Sequence, residues 1–286
     1  MKVLLTGHKG FIGQNLLETI DRLGWDRSCF DYEVFHKDVE EHLTKILRNN
    51  FDCIFHVGAN SNTMDHNYNS MMYTNYFFSK LLFDLAGDTP IIYSSSAANY
   101  GDRDGIPTNI YAWSKKAAED YGLAKCKNFI ALRYFNVYGP HEEHKGNMAS
   151  VAYQSWNKDR TPLFPKKPQR DFVYVDDVVD ANIYAATREI KSDWYDVGTG
   201  EVNTFENMLE NMGSKWYYTA EDAIPQGYQY YTRATKFMPG WKAEYDLDTG
   251  CEKYREYLNA PQMSATMMDE IRYPRSTTEL IKRLKR

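Results

Sequence analysis

Short apolar runs alternate with amphipathic stretches through the first half of the chain. Lys2-Val3-Leu4-Leu5 reads as a buried strand that runs straight into Thr6-Gly7. Phe11, Ile12, Leu16, Leu17 and Ile20 then recur at helical spacing. Ser28-Cys29-Phe30-Asp31-Tyr32 predicts a second strand, residues 40–49 a helix, and Phe51 to Ala59 a third strand ending in small residues. A helix from about Met71 to Ala86 follows, then the strand Ile91-Ile92-Tyr93-Ser94-Ser95-Ser96. A helix carrying Tyr111 and Lys115 and a strand from Phe129 to Asn136 complete the series. Repeated strand–helix units imply a parallel sheet with helices on both faces, so the expected class is α/β, a doubly wound Rossmann sheet. A smaller, mainly C-terminal α/β region should serve the substrate. The expected division gives residues 1–139 and 171–200 to a dinucleotide-binding domain. Residues 140–170 and 201–286 then form the substrate-binding region.

Three stretches of this pattern carry chemistry. Gly7, Gly10 and Gly13 form G-x-x-G-x-x-G between a strand and a helix, a relative of the dinucleotide fingerprint. Glycine is needed where the backbone turns tightly and where a pyrophosphate approaches amides at a helix N-terminus. Asp31 lies about 20 residues after the glycines, where an acid would hold the adenosine ribose. No Arg follows it, and Lys37 or Lys9 is the remaining partner for a 2′-phosphate, so both NAD and NADP stay open. Asp38 falls beside the expected adenine position, and the small residues Gly58 and Ala59 let a cofactor backbone pass. Asn75 is a candidate for propping the surrounding loops. Tyr111-x-x-x-Lys115 places a phenol and an ammonium on one helix face, one turn apart. A phenol titrating near pH 10 needs about 4 kcal/mol of preferential phenolate stabilisation to act as a base near neutrality, part of which Lys115 could supply. The hydroxyl of Ser96 could hold a substrate oxygen beside Tyr111.

At 286 residues the chain can bury an ample core. A net charge of −5 gives no reason to expect nucleic-acid binding. Cys29, Cys53, Cys126 and Cys251 are scattered, as reduced cytoplasmic thiols would be. No apolar run approaches the ~20 residues of a membrane helix, and no signal peptide is evident, so a cytoplasmic protein without membrane partners is expected. His141-Glu142-Glu143-His144 is one residue short of a zinc helix and opens with Pro140, which argues against a metal.

Taken together, the glycine loop, Ser94-Ser95-Ser96, Tyr111-x-x-x-Lys115 and Arg133-Tyr134-Phe135-Asn136-Val137-Tyr138-Gly139-Pro140 resemble the extended short-chain dehydrogenases/reductases. Four segments (Phe55 to Thr63, Arg133 to Val151, Arg170 to Asp177 and Tyr195 to Gly200) are similar, more narrowly, to the ADP-L-glycero-D-manno-heptose 6-epimerases. The resemblance spans residues 1 to about 259. It implies a tightly bound NADP or NAD in each subunit, held also by Phe11, Ile12, Gly13, Tyr111, Lys115 and Val137. It implies a nucleotide-diphosphate sugar as substrate, ADP-heptose first, and a homo-oligomer. Tyr111, Lys115 and Ser96 become catalytic, and Lys145 becomes a second acid/base facing Tyr111 across the sugar. Ser96, Asn136, Lys145, Asn147, Gln154, Phe164, Arg170 and Tyr228 become substrate contacts. An Arg at position 170 suits a diphosphate, because its planar fork pairs phosphate bidentately. The family usually has Ser at Asn147 and His at Gln154, and the Pro165 to Gln169 loop is short here. Residues 32–38 are compressed, and 260–286 extend past the resemblance. Rival readings are a 4-epimerase, a 4,6-dehydratase, a reductase, or an inactive NAD(P)-sensing binding protein. Dehydration is disfavoured, since Ser96-Ala97 stands where dehydratases carry an acid pair.

Overall fold

The computed structural model describes residues 1–31, 38–101, 105–156, 158–224 and 228–260. Tyr32, Lys37 and the 261–286 tail, all considered above, lie outside the described residues. The chain begins β1 (Lys2–Thr6), α1 (Phe11–Arg22), β2 (Asp26–Phe30), α2 (Val39–Leu47), β3 (Cys53–His56). It continues through α3 (Tyr68–Met72), a π-helical turn (Tyr73–Phe77), α4 (Phe78–Leu85), β4 (Ile91–Ser96), α5 (Ile110–Lys125) and β5 (Phe129–Tyr134). The second half adds β6 (Asn136–Tyr138), α6 (Val151–Trp156), β7 (Thr161–Leu163), β8 (Gln169–Arg170), β9 (Phe172–Tyr174) and α7 (Val175–Thr187). It closes with β10 (Asp193–Val197), β11 (Asn203–Thr204), α8 (Phe205–Asn211), β12 (Trp216–Tyr218) and α9 (Leu247–Asn259).

The central sheet has the order β10-β5-β4-β3-β1-β2 and every pairing in it is parallel. Successive residues of one strand serve opposite faces. Val3 and Leu5 pack with Leu16 and Ile20 of α1 and Val178 and Val179 of α7. Leu4 packs on the other face with Leu43 of α2, Phe78, Leu82 and Phe83 of α4 and Ala118 of α5. Helices therefore cover both faces, and the doubly wound class is observed. A separate apolar cluster, including Tyr138, Phe172, Met208, Met212, Leu247 and Tyr254, joins α8 and α9 to the small β6–β9 pair.

This order places a crevice at the carboxyl ends of β1 and β3, where chain direction through the sheet reverses. Strand β3 ends at His56 rather than Ala59, leaving 57–61 as a loop over that crevice. The predicted 71–86 helix starts earlier, because the Asn67 side chain accepts from the Ser70 amide and caps it. Its regular hydrogen bonding is interrupted by the π turn around Asn75, a feature often found at functional sites.

Candidate active site

The glycine loop divides its labour. Gly7 has φ +75°, a backbone conformation that favours glycine. A Cβ on Gly7 would collide with the Gly58 backbone, and one on Gly13 would collide with the Gly7 carbonyl. These two glycines are required by the protein itself. Gly10 is different: its φ is −80°, and an added Cβ would meet only the Gly7 oxygen, at 3.3 Å. Its bare face opens into the crevice, a cradle of the kind a pyrophosphate needs at the start of α1.

Gly7, Gly10, Phe11, Ile12, Gly13, Asp31, Gly58, Ala59, Tyr111, Lys115 and Lys145 all line this one cleft. Asp31 accepts hydrogen bonds from the Gly7 amide (2.7 Å) and the Lys9 amide (3.3 Å) and lies 3.0 Å from His8 Nδ1. Its carboxylate thus braces the loop as well as facing the cleft. Asp38, Asn75 and Val137 do not line it. Asp38 is the N-cap position of α2, without a capping side-chain bond. Asn75 is fully buried behind the cleft, where its side chain grips both backbone groups of Asn60 at 2.7 and 2.9 Å. It reaches the cleft only through that loop. Thr74, Asn60, Ser61, Tyr134 and His144 line the cleft without having been singled out from sequence. His144 alone carried a signal, as the neighbour of Lys145.

Lys115 is 2% exposed and its ammonium has no hydrogen-bond partner among the described residues. It sits 4.2 Å from the centre of the Tyr93 ring. Burial pushes its pKa down to about 7, opposed by the charge of Glu119 one turn further along α5. Glu119 is itself fully buried, held by both arms of Arg133 and by the Ser95 hydroxyl. Burial raises the Tyr111 phenol, and the opposing pull comes from a hydrogen bond with Ser96. A buried ammonium without a hydrogen-bond acceptor, in a cleft with a glycine cradle, fits a cofactor that would bring hydroxyl acceptors to Lys115.

Lys145 lines the same cleft. It lies in the 3₁₀ segment Glu143–Met148, with Nζ 5.0 Å from the Phe11 ring centre. Burial lowers its pKa, opposed by Glu142. The fully buried Glu142 carboxylate anchors that segment, accepting from the Gly139 amide, the Ser150 amide and hydroxyl, and the Tyr254 hydroxyl of α9. Gln154 Nε2 donates to the carbonyls of Asn147 (3.1 Å) and Ala149 (2.8 Å), so it holds the Lys145 segment, and Asn147 is exposed. His141 pairs with Glu18 at 2.8 Å.

A second cluster gathers Phe164, Arg170 and Tyr228. The Arg170 guanidinium stacks 5.2 Å from the Tyr228 ring and 5.6 Å from Phe205, and Phe164 meets Tyr228 edge-on at 5.1 Å. Arg170 donates to the carbonyls of Gln169 and Gln229, and Gln229 Nε2 donates to Gly101 at 2.8 Å, tying this cluster to the loop after β4. The backbone amide of Asn136 donates to the Asp171 carbonyl at 3.0 Å. Among the described residues no helix is long and apolar enough to cross a membrane.

Comparison with known proteins agrees with this arrangement. The chain is 32% identical to an ADP-L-glycero-D-manno-heptose-6-epimerase of Brachyspira hyodysenteriae, over 90% of this chain and 97% of that protein. It is also similar to the crystal structure of the Helicobacter pylori ADP-L-glycero-D-manno-heptose-6-epimerase. That match has a TM-score of 0.80 and 26% identity, covering 91% and 96% of the two chains. The UDP-glucose 4-epimerase of Thermotoga maritima shares the fold, with a TM-score of 0.78 at 23% identity over 90% and 98%. Residues 3–198, from the glycine-loop strand through β10, match the family model for NAD dependent epimerases and dehydratases, and with it the chain belongs to the NAD dependent epimerase/dehydratase family.

Proposed function

We propose that this protein is an ADP-L-glycero-D-manno-heptose 6-epimerase. The observation that supports the reading is that two proton-transfer candidates, Tyr111 and Lys145, line one cleft. The 32% identity to a heptose 6-epimerase along nearly its whole length supports the choice of sugar.

NAD, when bound, supplies the hydride acceptor and donor. The chain's own residues manage protons and position. Tyr111 takes the proton of the sugar hydroxyl as the alcohol is oxidised, with the Ser96 hydroxyl hydrogen-bonded beside it. Lys115 would hold the cofactor's ribose, and its charge would favour the phenolate. The resulting keto sugar presents its other face, and Lys145 serves the proton on that side. There is no net redox change. Arg170, stacked between Tyr228 and Phe205, takes the diphosphate, and Phe164 with Tyr228 frames the nucleotide. Asn136 reaches the sugar, while Asn147 and Gln154 set the Lys145 turn. Four unpaired cysteines accord with a cytoplasmic setting.

The test is incubation of the purified enzyme with ADP-D-glycero-D-manno-heptose and with UDP-, GDP- and dTDP-hexoses, followed by NMR of the recovered sugars. Inversion at C6 of the ADP-heptose alone is expected. Turnover of a UDP-hexose at C4 with the heptose untouched overturns the assignment.

A further inference from the structure

His56 ends β3 directly beneath the cleft and is fully buried. Its ring is walled by Phe78, Phe83 and Tyr93, with centroids 5.7, 5.8 and 5.6 Å away. Both ring nitrogens are used: Nδ1 lies 2.7 Å from Thr6 Oγ1, and Nε2 lies 2.7 Å from Ser79 Oγ. The proton positions follow from counting donors. The Ser79 hydroxyl has one proton, and it goes to the Asn75 carbonyl at 2.7 Å, which can only accept. Ser79 must therefore accept from His56, so the ring proton is on Nε2. Nδ1 of a neutral ring is then an acceptor, and the Thr6 hydroxyl donates to it. The Thr6 oxygen in turn accepts from the Gly58 amide at 3.3 Å. A second ring proton would make the Thr6 oxygen accept from both His56 and Gly58 and deprive its hydroxyl proton of the ring acceptor. Desolvation, reinforced by the charge of Lys115, keeps the ring neutral, with its pKa pushed down to about 3. Lys115 and the Tyr93 phenol are the titratable groups facing it.

The bonds continue on either side. Thr6 precedes Gly7, and the Gly58 amide belongs to the loop over the crevice. Beyond Asn75, its side-chain amide donates to Ser114 Oγ at 3.0 Å, and Ser114 donates to the Tyr111 carbonyl at 2.7 Å. One directed chain thus links Gly58, Thr6, His56, Ser79, Asn75, Ser114 and the backbone of Tyr111.

We propose that His56 is a positioning residue whose fixed Nε2–H tautomer locks the cofactor-holding loops to the helix that carries Tyr111 and Lys115. It touches neither cofactor nor sugar. Its two bonds have separable consequences: the Thr6 bond sets the loops at Gly7 and Gly58, and the Ser79 bond sets the π turn behind Tyr111. Side chains of different reach can remove them singly. Asn places an acceptor near Nδ1 and leaves Ser79 unmet, whereas Gln reaches Nε2 and leaves Thr6 unmet.

The experiment has two parts. In ¹⁵N-histidine-labelled holoenzyme, the His56 ring should show Nε2 protonated and Nδ1 bare, unchanged from pH 5 to pH 8. A ring protonated at Nδ1, or one that titrates in this range, overturns the proposal. Next, His56→Gln should weaken NADH binding about tenfold with turnover of the saturated enzyme nearly kept. His56→Asn should do the reverse, holding NADH affinity while slowing ADP-heptose turnover about tenfold and displacing its pH–rate profile. Equal losses in both variants, or two variants altered only in thermal stability, overturn it. If wild-type enzyme does not turn over ADP-heptose, the proposed sugar is wrong, and the tautomer and NADH measurements still decide the role of His56.

Discussion

Replacing Lys115 with Met should stabilise the cofactor-free protein at neutral pH while destroying its activity. Lys115 is 2% exposed, and its ammonium lies 4.2 Å from the Tyr93 ring centre. A pKa reduced from the ordinary lysine value of 10.5 to about 7 corresponds to about 5 kcal/mol against holding the charged form in the fold. The sign follows from proton binding. Between the folded value near 7 and the unfolded value near 10.5 the unfolded chain binds the extra proton, so stability rises with pH across that window. Below pH 7 the full cost is present, and near pH 10 less than ~1 kcal/mol is left. Met keeps the apolar stem but forfeits the cation–π contact, a loss of ~1–2 kcal/mol. The net gain for Lys115→Met is then about 2–4 kcal/mol at pH 6–7, roughly 2 °C in Tm per kcal/mol for a chain of this size. The assay is thermal unfolding of cofactor-stripped wild type and variant from pH 6 to pH 10. The difference in Tm should shrink toward zero, or reverse, at the alkaline end. A difference that stays constant over this range would show that Lys115 is not held against its charge, and the account of a strained, waiting ammonium would fail.

The remaining expectations concern single steps. Gly10→Val should fold with near-normal Tm and lose bound nicotinamide cofactor, whereas Gly13→Ala should lower Tm sharply, because only the latter collides with the protein's own backbone; cofactor content per folded chain separates the two, and a Val variant that retains stoichiometric cofactor refutes the cradle. Tyr111→Phe should keep fold and cofactor while turnover falls by ~10²–10⁴, the usual loss of general acid–base catalysis; a near-wild-type rate removes Tyr111 from the mechanism. Lys145→Met should bind the nucleotide sugar nearly normally and epimerise very slowly, yet still interconvert carbonyl and alcohol on the face served by Tyr111. Wild-type epimerisation by that variant would make Lys145 an ordinary loop lysine.

The parts of the site written in local sequence were legible, and those made by distant partners were not. Thr6-Gly7 after an apolar run and Tyr111-x-x-x-Lys115 on a helix depend on spacing within one element, so periodicity exposes them. Asn75 was singled out as a prop for loops, but its reach into Asn60 and Ser114 needs the π turn, and no residue pattern announces a π turn. His56 sits in a strand of apolar residues and gives no sign from sequence that its two nitrogens are answered by Thr6 and Ser79, 50 and 23 residues away. Glu142 likewise lies in a segment that superficially suggests metal binding, yet its carboxylate is spent on Ser150 and, across 112 residues, on Tyr254. Long-range satisfaction of buried polar groups is thus what turns a recognisable list of catalytic side chains into a site with fixed geometry. It also explains why α9, far from the chemistry in sequence, controls where Lys145 can reach: without the Tyr254 hydroxyl, a buried carboxylate at the root of the Lys145 segment loses one of its donors. Gly139 and Ser150 still donate to it, so the loss is that of one hydrogen bond to a charged group, ~1.5–3 kcal/mol. The segment would then relax toward solvent, and Lys145, the proposed second proton-transfer group, would leave the cleft with it.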